Sequence, residues 1–87
     1  MATLLITYDL NQPGQKYDAL YKLIDSLGAW FHPLDSTWFV KTTLSATEVT
    51  ERIGSVLDEG DAWFVCDVTN AASSGYMDSE FWPWLRG

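Results

Sequence analysis

Two stretches with helical periodicity, each between short apolar or aromatic runs, constrain the fold of this chain more than any other feature. In the first, over residues 17–27, apolar side chains recur at helical spacing, and Gly28 follows as a typical helix stop. In the second, Ser45 and Glu48 fit a capping box, and Gly60 is expected to end the helix. Both stretches are therefore predicted to be amphipathic helices with one buried face.

Four other segments have the composition of strands. Residues 4–10 alternate so that Leu, Ile and Tyr share one face, and a Pro-Gly turn is predicted over residues 11–15. Residues 29–32 and 37–43 are aromatic and β-branched and predict a hairpin, and residues 61–69 predict a last strand. This order is typical of a split β-α-β arrangement. It predicts an α+β fold with a four-stranded antiparallel sheet and both helices on one face.

The end of the chain is expected to be an aromatic tail. Residues 1–69 are predicted to form the domain, and residues 70–87 to pack on their own or a partner subunit. Within the tail, Asp78 or Ser79 is expected to cap a single helical turn, since Pro83 limits any longer helix.

Three of the predicted strands contain a Trp-Phe pair. Because neighbours in a strand point to opposite faces, each pair puts one aromatic on the helix side and one on the open side of the sheet. The open side would then be too apolar to face water, and either homodimerisation or the folded-back tail is expected to cover it. The predicted interface residues are Trp30, Phe31, Trp38, Phe39, Trp63, Phe64, Trp82 and Trp84.

The chain is strongly acidic, with twelve Asp and Glu against five Lys and Arg and a net charge of -7. No basic cluster is present, which disfavours direct nucleic-acid binding, because Lys and Arg normally supply the phosphate contacts. An acidic surface suits a basic protein partner, and high net charge also keeps a small protein soluble. With no signal-peptide pattern and no membrane-length apolar run, a cytoplasmic protein without membrane association is expected.

Other residues with reactive or ligating side chains are isolated. His32 has no second His or Cys at ligand spacing, so a structural role is favoured over a zinc site. Cys66 is the single cysteine, which excludes an internal disulfide and favours a packed, inert thiol. Asp67 has two possible roles: an acid that supports the residues of a site without contacting the ligand, or a charge at an interface. The acidic run at residues 58–61 is either a solvated helix end or a surface for a basic partner.

The chain also resembles a known family. A strand ending in Tyr8-Asp9-Leu10, a helix, an aromatic hairpin with the segment STWFV at residues 36–40, a second helix and a final strand are similar to the small CRISPR-associated subunit of spacer-adaptation complexes. They look closer still to its stand-alone SinR-like relatives, and virulence-associated protein D toxins share the plan. The resemblance covers about residues 2–69. It implies a ferredoxin-like βαββαβ fold, a homodimer and metal-dependent cleavage of phosphodiester bonds.

Carried over to this sequence, the family's acidic strand end matches Asp9, which both subunits would supply near the two-fold axis. Two such carboxylates could hold Mg²⁺, the cofactor implied if the protein is catalytic. Thr37 lies near a hydroxyl position of the family pattern. Nuclease-type members of the family carry basic residues after the aspartate. In this chain, Lys16 is the single basic residue within residues 11–16. The alternative role for Asp9 is a turn or capping aspartate.

Two functions therefore stay open. One is a non-catalytic binding or inhibitory protein whose acidic surface engages a basic or nucleic-acid-binding partner. The other is a Mg-dependent endoribonuclease or endodeoxyribonuclease that uses Asp9 from both subunits.

Overall fold

One antiparallel sheet forms the centre of the protein in the computed structural model, which describes residues 1–11 and 13–87. Along the chain the elements are β1 (Ala2–Asp9), α1 (Pro13–Leu27), β2 (Ala29–Leu34), β3 (Thr37–Thr42), α2 (Ala46–Gly54), β4 (Ala62–Asp67) and α3 (Phe81–Arg86). The strands lie in the order β2-β3-β1-β4, and each neighbouring pair is antiparallel. The predicted α+β fold with a four-stranded antiparallel sheet is confirmed. The strand order and the two longer helices fit a ferredoxin-like fold.

The core lies between one face of the sheet and the two longer helices. Leu4 and Ile6 of β1 are fully buried, as the alternation along that strand predicts. Leu20 and Ile24 from α1 and Ile53 from α2 belong to the same buried cluster. Both helices therefore pack on the same face. Burial of each such side chain stabilises the fold by about 1.5–3 kcal/mol.

The start of α1 differs from the sequence prediction. The helix begins at Pro13, inside the turn expected over residues 11–15. Of that turn, Gln12 lies outside the described residues. Proline is common in the first helical turn, because its fixed φ suits a helix and its missing N–H would have no acceptor there. The Pro-Gly pair therefore opens a helix, and the predicted turn is wrong for residues 13–15.

The end of α1 agrees with the prediction. Gly28 follows the helix with a φ of +154°, a backbone conformation that residues other than glycine rarely adopt. A Cβ at this position would also collide with the backbone carbonyl oxygen of Lys41 on β3. Glycine is required here by both the backbone angle and the close approach of the next strand.

The capping box at the start of α2 is confirmed. The Glu48 backbone N–H donates to Ser45 Oγ at 3.1 Å, and the Ser45 N–H donates to Glu48 Oε1 at 3.0 Å. The helix ends at Gly54, so the expected stop at Gly60 is wrong. Ser55 caps the end, and its hydroxyl donates to the Arg52 carbonyl at 2.6 Å.

The hairpin of β2 and β3 forms as predicted, with Asp35 and Ser36 in the turn. β2 runs on to Leu34 and so includes Pro33, beyond the predicted end at residue 32. Proline is tolerated because β2 is an edge strand, whose outer N–H groups need no partner strand. The pairing register with β3 shifts between Phe31 and Leu34.

The C-terminal helix lies on the sheet face opposite α1 and α2. The Phe81 ring is 5.5 Å from that of Phe31 and 4.9 Å from that of Phe39, between ring centres. The predicted caps are wrong: α3 starts after Glu80, without a side-chain cap bond. Pro83 falls in the first turn of α3, where it breaks no helical hydrogen bond.

Among the described helices, none has the length and apolar character needed to cross a membrane.

Candidate functional site

The Trp-Phe pairs divide between the two faces of the sheet in one consistent way. On β3, Trp38 belongs to the helix-side core, whereas Phe39 packs under Phe81 on the opposite face. On β4, Trp63 packs against the core, whereas Phe64 pairs with Thr7 of β1 on the opposite face. Tryptophan therefore faces the helices and phenylalanine faces the tail side in each pair described here.

Cover of the tail side is incomplete. Phe39 is only 8% exposed beneath α3, but Phe64 is 60% exposed at the β4 edge. Phe64 lines a shallow hollow with Thr7, Asp9 and Ala62. The tail thus covers the β2–β3 side of this face and leaves the β4 side open.

Lys41 and Arg86 each contact a tryptophan of the aromatic tail. Lys41 Nζ donates to the backbone carbonyl of Trp84 and lies 4.6 Å from the centre of the Trp84 ring. The Arg86 guanidinium lies 5.5 Å from the centre of the Trp82 ring. Both predicted interface tryptophans of the tail therefore contact residues of their own chain.

His32 belongs to an aromatic cluster at the β2 edge. Its ring stacks on Trp38 with centres 4.0 Å apart, and Trp30 lies 4.8 Å from the same indole. Trp38 Nε1 donates to the Tyr8 hydroxyl at 3.1 Å. Burial, followed by hydrogen bonding to Tyr21, raises the pKa of Tyr8 above its usual value. These groups are packed as a structural cluster.

Asp9, the predicted catalytic and metal-binding residue, is exposed at the end of β1 and lies opposite Ala62 of β4. Thr37 of β3 pairs with Thr7, which precedes Asp9 by two residues on β1. The hydroxyl oxygens of the two threonines are 3.3 Å apart. Residues 1–11 and 13–87 hold no group of three or more His, Cys, Asp or Glu side chains suited to a metal ion. Within this part of the chain, Asp9 therefore belongs to no three-residue group of this kind.

Asp61, the last acid of the run at residues 58–61, is buried. Its Oδ1 accepts from the Asn11 N–H at 2.7 Å, and its Oδ2 accepts from the Asp58 N–H at 2.8 Å and Lys16 Nζ at 2.7 Å. The backbone bond from Asp58, then Lys16 and Asn11, lowers the pKa of Asp61 to about 2. The predicted solvated or partner-binding role is wrong for Asp61, which joins the end of β1, α1 and the α2–β4 loop.

The remaining acids at this end of the sheet face solvent. Asp9 ends β1, Asp35 lies in the β2–β3 turn, and Asp58 and Glu59 lie in the α2–β4 loop. The end of β1, the β2–β3 turn and the α2–β4 loop lie close together at this end of the sheet. The Tyr8 N–H donates to the Ser36 carbonyl at 3.2 Å, and the Asn11 N–H donates to the Asp61 carboxylate. We call these four exposed residues the acidic rim: Asp9, Asp35, Asp58 and Glu59.

The other predicted candidates on β4 lie away from the rim. Cys66 is half-buried and free. Asp67 is exposed, and hydrogen bonds from the Thr69 side chain and backbone lower its carboxyl pKa. The backbone bond, from Thr69 N–H to Asp67 Oδ1, measures 2.9 Å. Asp67 therefore anchors the chain just after β4.

Comparisons with family models, curated proteins and solved structures find no match to this chain. The function is therefore inferred from the fold, the charge distribution and the contacts between the described residues.

Proposed function

We propose that the protein is a non-catalytic binding protein whose acidic rim engages a basic protein partner. The observation that carries this proposal is the exposure of the acidic side chains: every Asp and Glu except Asp61 faces solvent. A concave or flat cluster of carboxylates attracts cationic surfaces and speeds their association.

The few cations of the chain compensate this charge poorly. Lys16 is committed to Asp61 and Asp58, with Nζ–oxygen distances of 2.7 and 2.8 Å. Lys41 and Arg86 lie over the tail tryptophans. Three of the five basic residues thus have contacts inside the fold, and Asp58 is the one rim acid that Lys16 pairs with. Within residues 1–11 and 13–87, no salt bridge reaches Asp9, Asp35 or Glu59.

A nucleic-acid-binding protein is the partner class that fits this rim best. Such proteins present clustered Lys and Arg to phosphates, and a compact acidic surface can occupy the same groove. The proposal extends to a cytoplasmic homodimer of the CRISPR-adaptation-subunit type with a ferredoxin-like βαββαβ fold. A homodimer would present two rims to one partner and raise the effective local concentration of binding groups.

Neutralising the rim tests the binding proposal. A variant with Asp9→Asn, Asp35→Asn, Asp58→Asn and Glu59→Gln is expected to bind a synthetic Lys- and Arg-rich peptide about tenfold more weakly than the natural sequence. The loss follows from removing four exposed charges from one surface. Titration calorimetry at low and moderate salt measures it, and the salt dependence of binding should also become shallower.

The matched control carries the same change in net charge elsewhere. It replaces four exposed acids on α1, α2 and the tail: Asp18→Asn, Glu51→Gln, Asp78→Asn and Glu80→Gln. Its affinity for the peptide should stay within about threefold of the natural sequence. Equal weakening in both variants would show that binding follows net charge alone, and the rim would lose its role.

A metal-dependent nuclease is the second candidate. It is supported by the exposure of Asp9 beside the open β4 side of the sheet, where a second chain could add its own Asp9. In this candidate the second carboxylate is Asp9 of the partner subunit, so the function requires the homodimer. The acidic surroundings and the engaged Lys16 leave phosphate binding unsupported by nearby cations.

The nuclease candidate predicts cleavage of RNA or DNA in the presence of Mg²⁺ or Mn²⁺. Asp9→Asn should then lower the cleavage rate at least about a hundredfold, whereas the rim variant Asp35→Asn should retain it. Gel assays on single- and double-stranded substrates measure both. The candidate fails if the natural sequence cleaves nothing, or if Asp9→Asn cleaves as fast as Asp35→Asn.

A further inference from the structure

A cavity of about 320 Å³ lies between the tail and the sheet face that it covers. Leu5 and Phe39 line it from the sheet, and Phe81 and Leu85 line it from α3. Residues 70–74, which follow β4 without regular secondary structure, form a side wall. The size is at the small end of the range for ligand sites. Apart from Thr3, the walls near the sheet are apolar.

One end of this cavity is polar. Ser73, Ser74, Trp82 and Arg86 line both the cavity and an adjoining, more open hollow at the surface. The hydroxyls of the two serines and the Arg86 guanidinium are hydrogen-bond donors. Within residues 1–11 and 13–87 the salt bridges involve only Lys16, so no carboxylate of this part of the chain neutralises Arg86.

We propose that this cavity binds a small anionic amphiphile, with its apolar body against the sheet and its carboxylate at Arg86. An apolar chamber that opens into a group of donors matches a molecule with one apolar end and one anionic end. Arginine suits the head group, because its planar fork of N–H donors matches the geometry of a carboxylate.

The charge of the protein makes Arg86 decisive for this preference. A net charge of -7 repels anions from most of the surface. The tail acids Asp78 and Glu80 are not among the residues that line the cavity. Anion binding at this place therefore depends on one local cation, which lies against the Trp82 ring. This site is separate from the acidic rim and independent of the proposed partner.

Three matched alkyl ligands test the proposal on the full chain. Octanoate, octanol and octylammonium share the apolar body and differ in the head group. Octanoate is expected to bind with one saturable site, octanol about tenfold more weakly and octylammonium more weakly still. Titration calorimetry gives the affinities. Backbone amide shifts in NMR should concentrate on residues 70–74 and α3 when octanoate is added to the natural sequence.

Two variants separate the head-group site from the apolar chamber. Arg86→Gln should lower octanoate affinity about tenfold, to the octanol level, and leave octanol affinity unchanged. Ala72→Trp, in the side wall, should fill the cavity and abolish binding of both ligands. Arg52→Gln, which removes an exposed cation of α2, is the charge-matched control and should leave all affinities within about twofold.

Several outcomes would overturn the proposal. They are the absence of saturable octanoate binding, amide shifts confined to the helix side of the sheet, and equal weakening by Arg86→Gln and Arg52→Gln. Because the NMR measurement uses the natural sequence, it decides the matter even where a variant fails to fold.

Discussion

Alanine in place of Phe81 is expected to lower the free energy of unfolding by about 3–5 kcal/mol, the usual cost of removing a buried aromatic ring. Phe81 is 2% exposed and contacts the rings of Phe31 and Phe39 on the tail side of the sheet. The substitution removes the main apolar contact of α3 and leaves those two rings to water. Urea unfolding, followed by Trp fluorescence and by circular dichroism, measures the loss.

Tyr76→Ala is the matched control, because it truncates a fully exposed aromatic side chain in the same tail. Its effect should stay within about 0.5 kcal/mol. Hydrogen exchange then distinguishes two forms of the Phe81 result. Loss of protection in α3 alone would mean that the tail opens separately, whereas loss throughout the sheet would mean cooperative unfolding. An unchanged urea midpoint in Phe81→Ala would contradict docking of the tail on its own sheet.

Asp61→Asn is expected to lower Tm by roughly 8–15 °C near neutral pH, because Lys16 and two backbone N–H groups lose their ionised acceptor. The pH dependence should change as well. The pKa of Asp61 is about 2 in the folded protein against an ordinary value of 3.8. The unfolded chain therefore binds more protons between these values, and stability falls as pH drops from about 4 to about 2. The variant should lose this part of the acid slope.

Asp58→Asn provides the comparison for this prediction. Its carboxylate lies 2.8 Å from the same Lys16 Nζ, but the Asp58 side chain is 73% exposed. Solvent screens such a pair, so Tm should change by less than about 4 °C. If the two variants melt alike at every pH, the buried bonds of Asp61 contribute nothing beyond a surface ion pair. Thermal unfolding by calorimetry from pH 2 to pH 7 tests both.

Local signals in the sequence predicted the elements that depend on near neighbours. The start of α2 was predictable because Ser45 and Glu48 satisfy each other's backbone across three residues. The burial of Leu4 and Ile6 follows from strand alternation, and Gly28 marks a helix end by its own backbone freedom. Such features need no knowledge of distant parts of the chain.

The features that the sequence did not reveal depend on distant contacts. Asp61 is bound by Asn11 and Lys16, which precede it by 50 and 45 residues. In the sequence, Asp61 is one acid of the run at residues 58–61, and its partners were not identifiable from spacing. The early end of α2 at Gly54 leaves a turn that this same carboxylate holds through Asp58. The side on which the tail packs depends on Phe31 and Phe39 meeting Phe81, which periodicity within the tail cannot predict.

The central position of β1 has a consequence for synthesis on the ribosome. It is the first strand to be made, yet its two partners are β3 and β4, and the pairing with β4 needs the chain to reach Asp67. At typical rates of translation, roughly 3–12 s separate the synthesis of Asp9 from that of Asp67. During this interval the strand that carries the fully buried Leu4 and Ile6 has an unpaired edge. Nascent chains of this protein should therefore depend on chaperone cover or on the early packing of α1 to avoid aggregation.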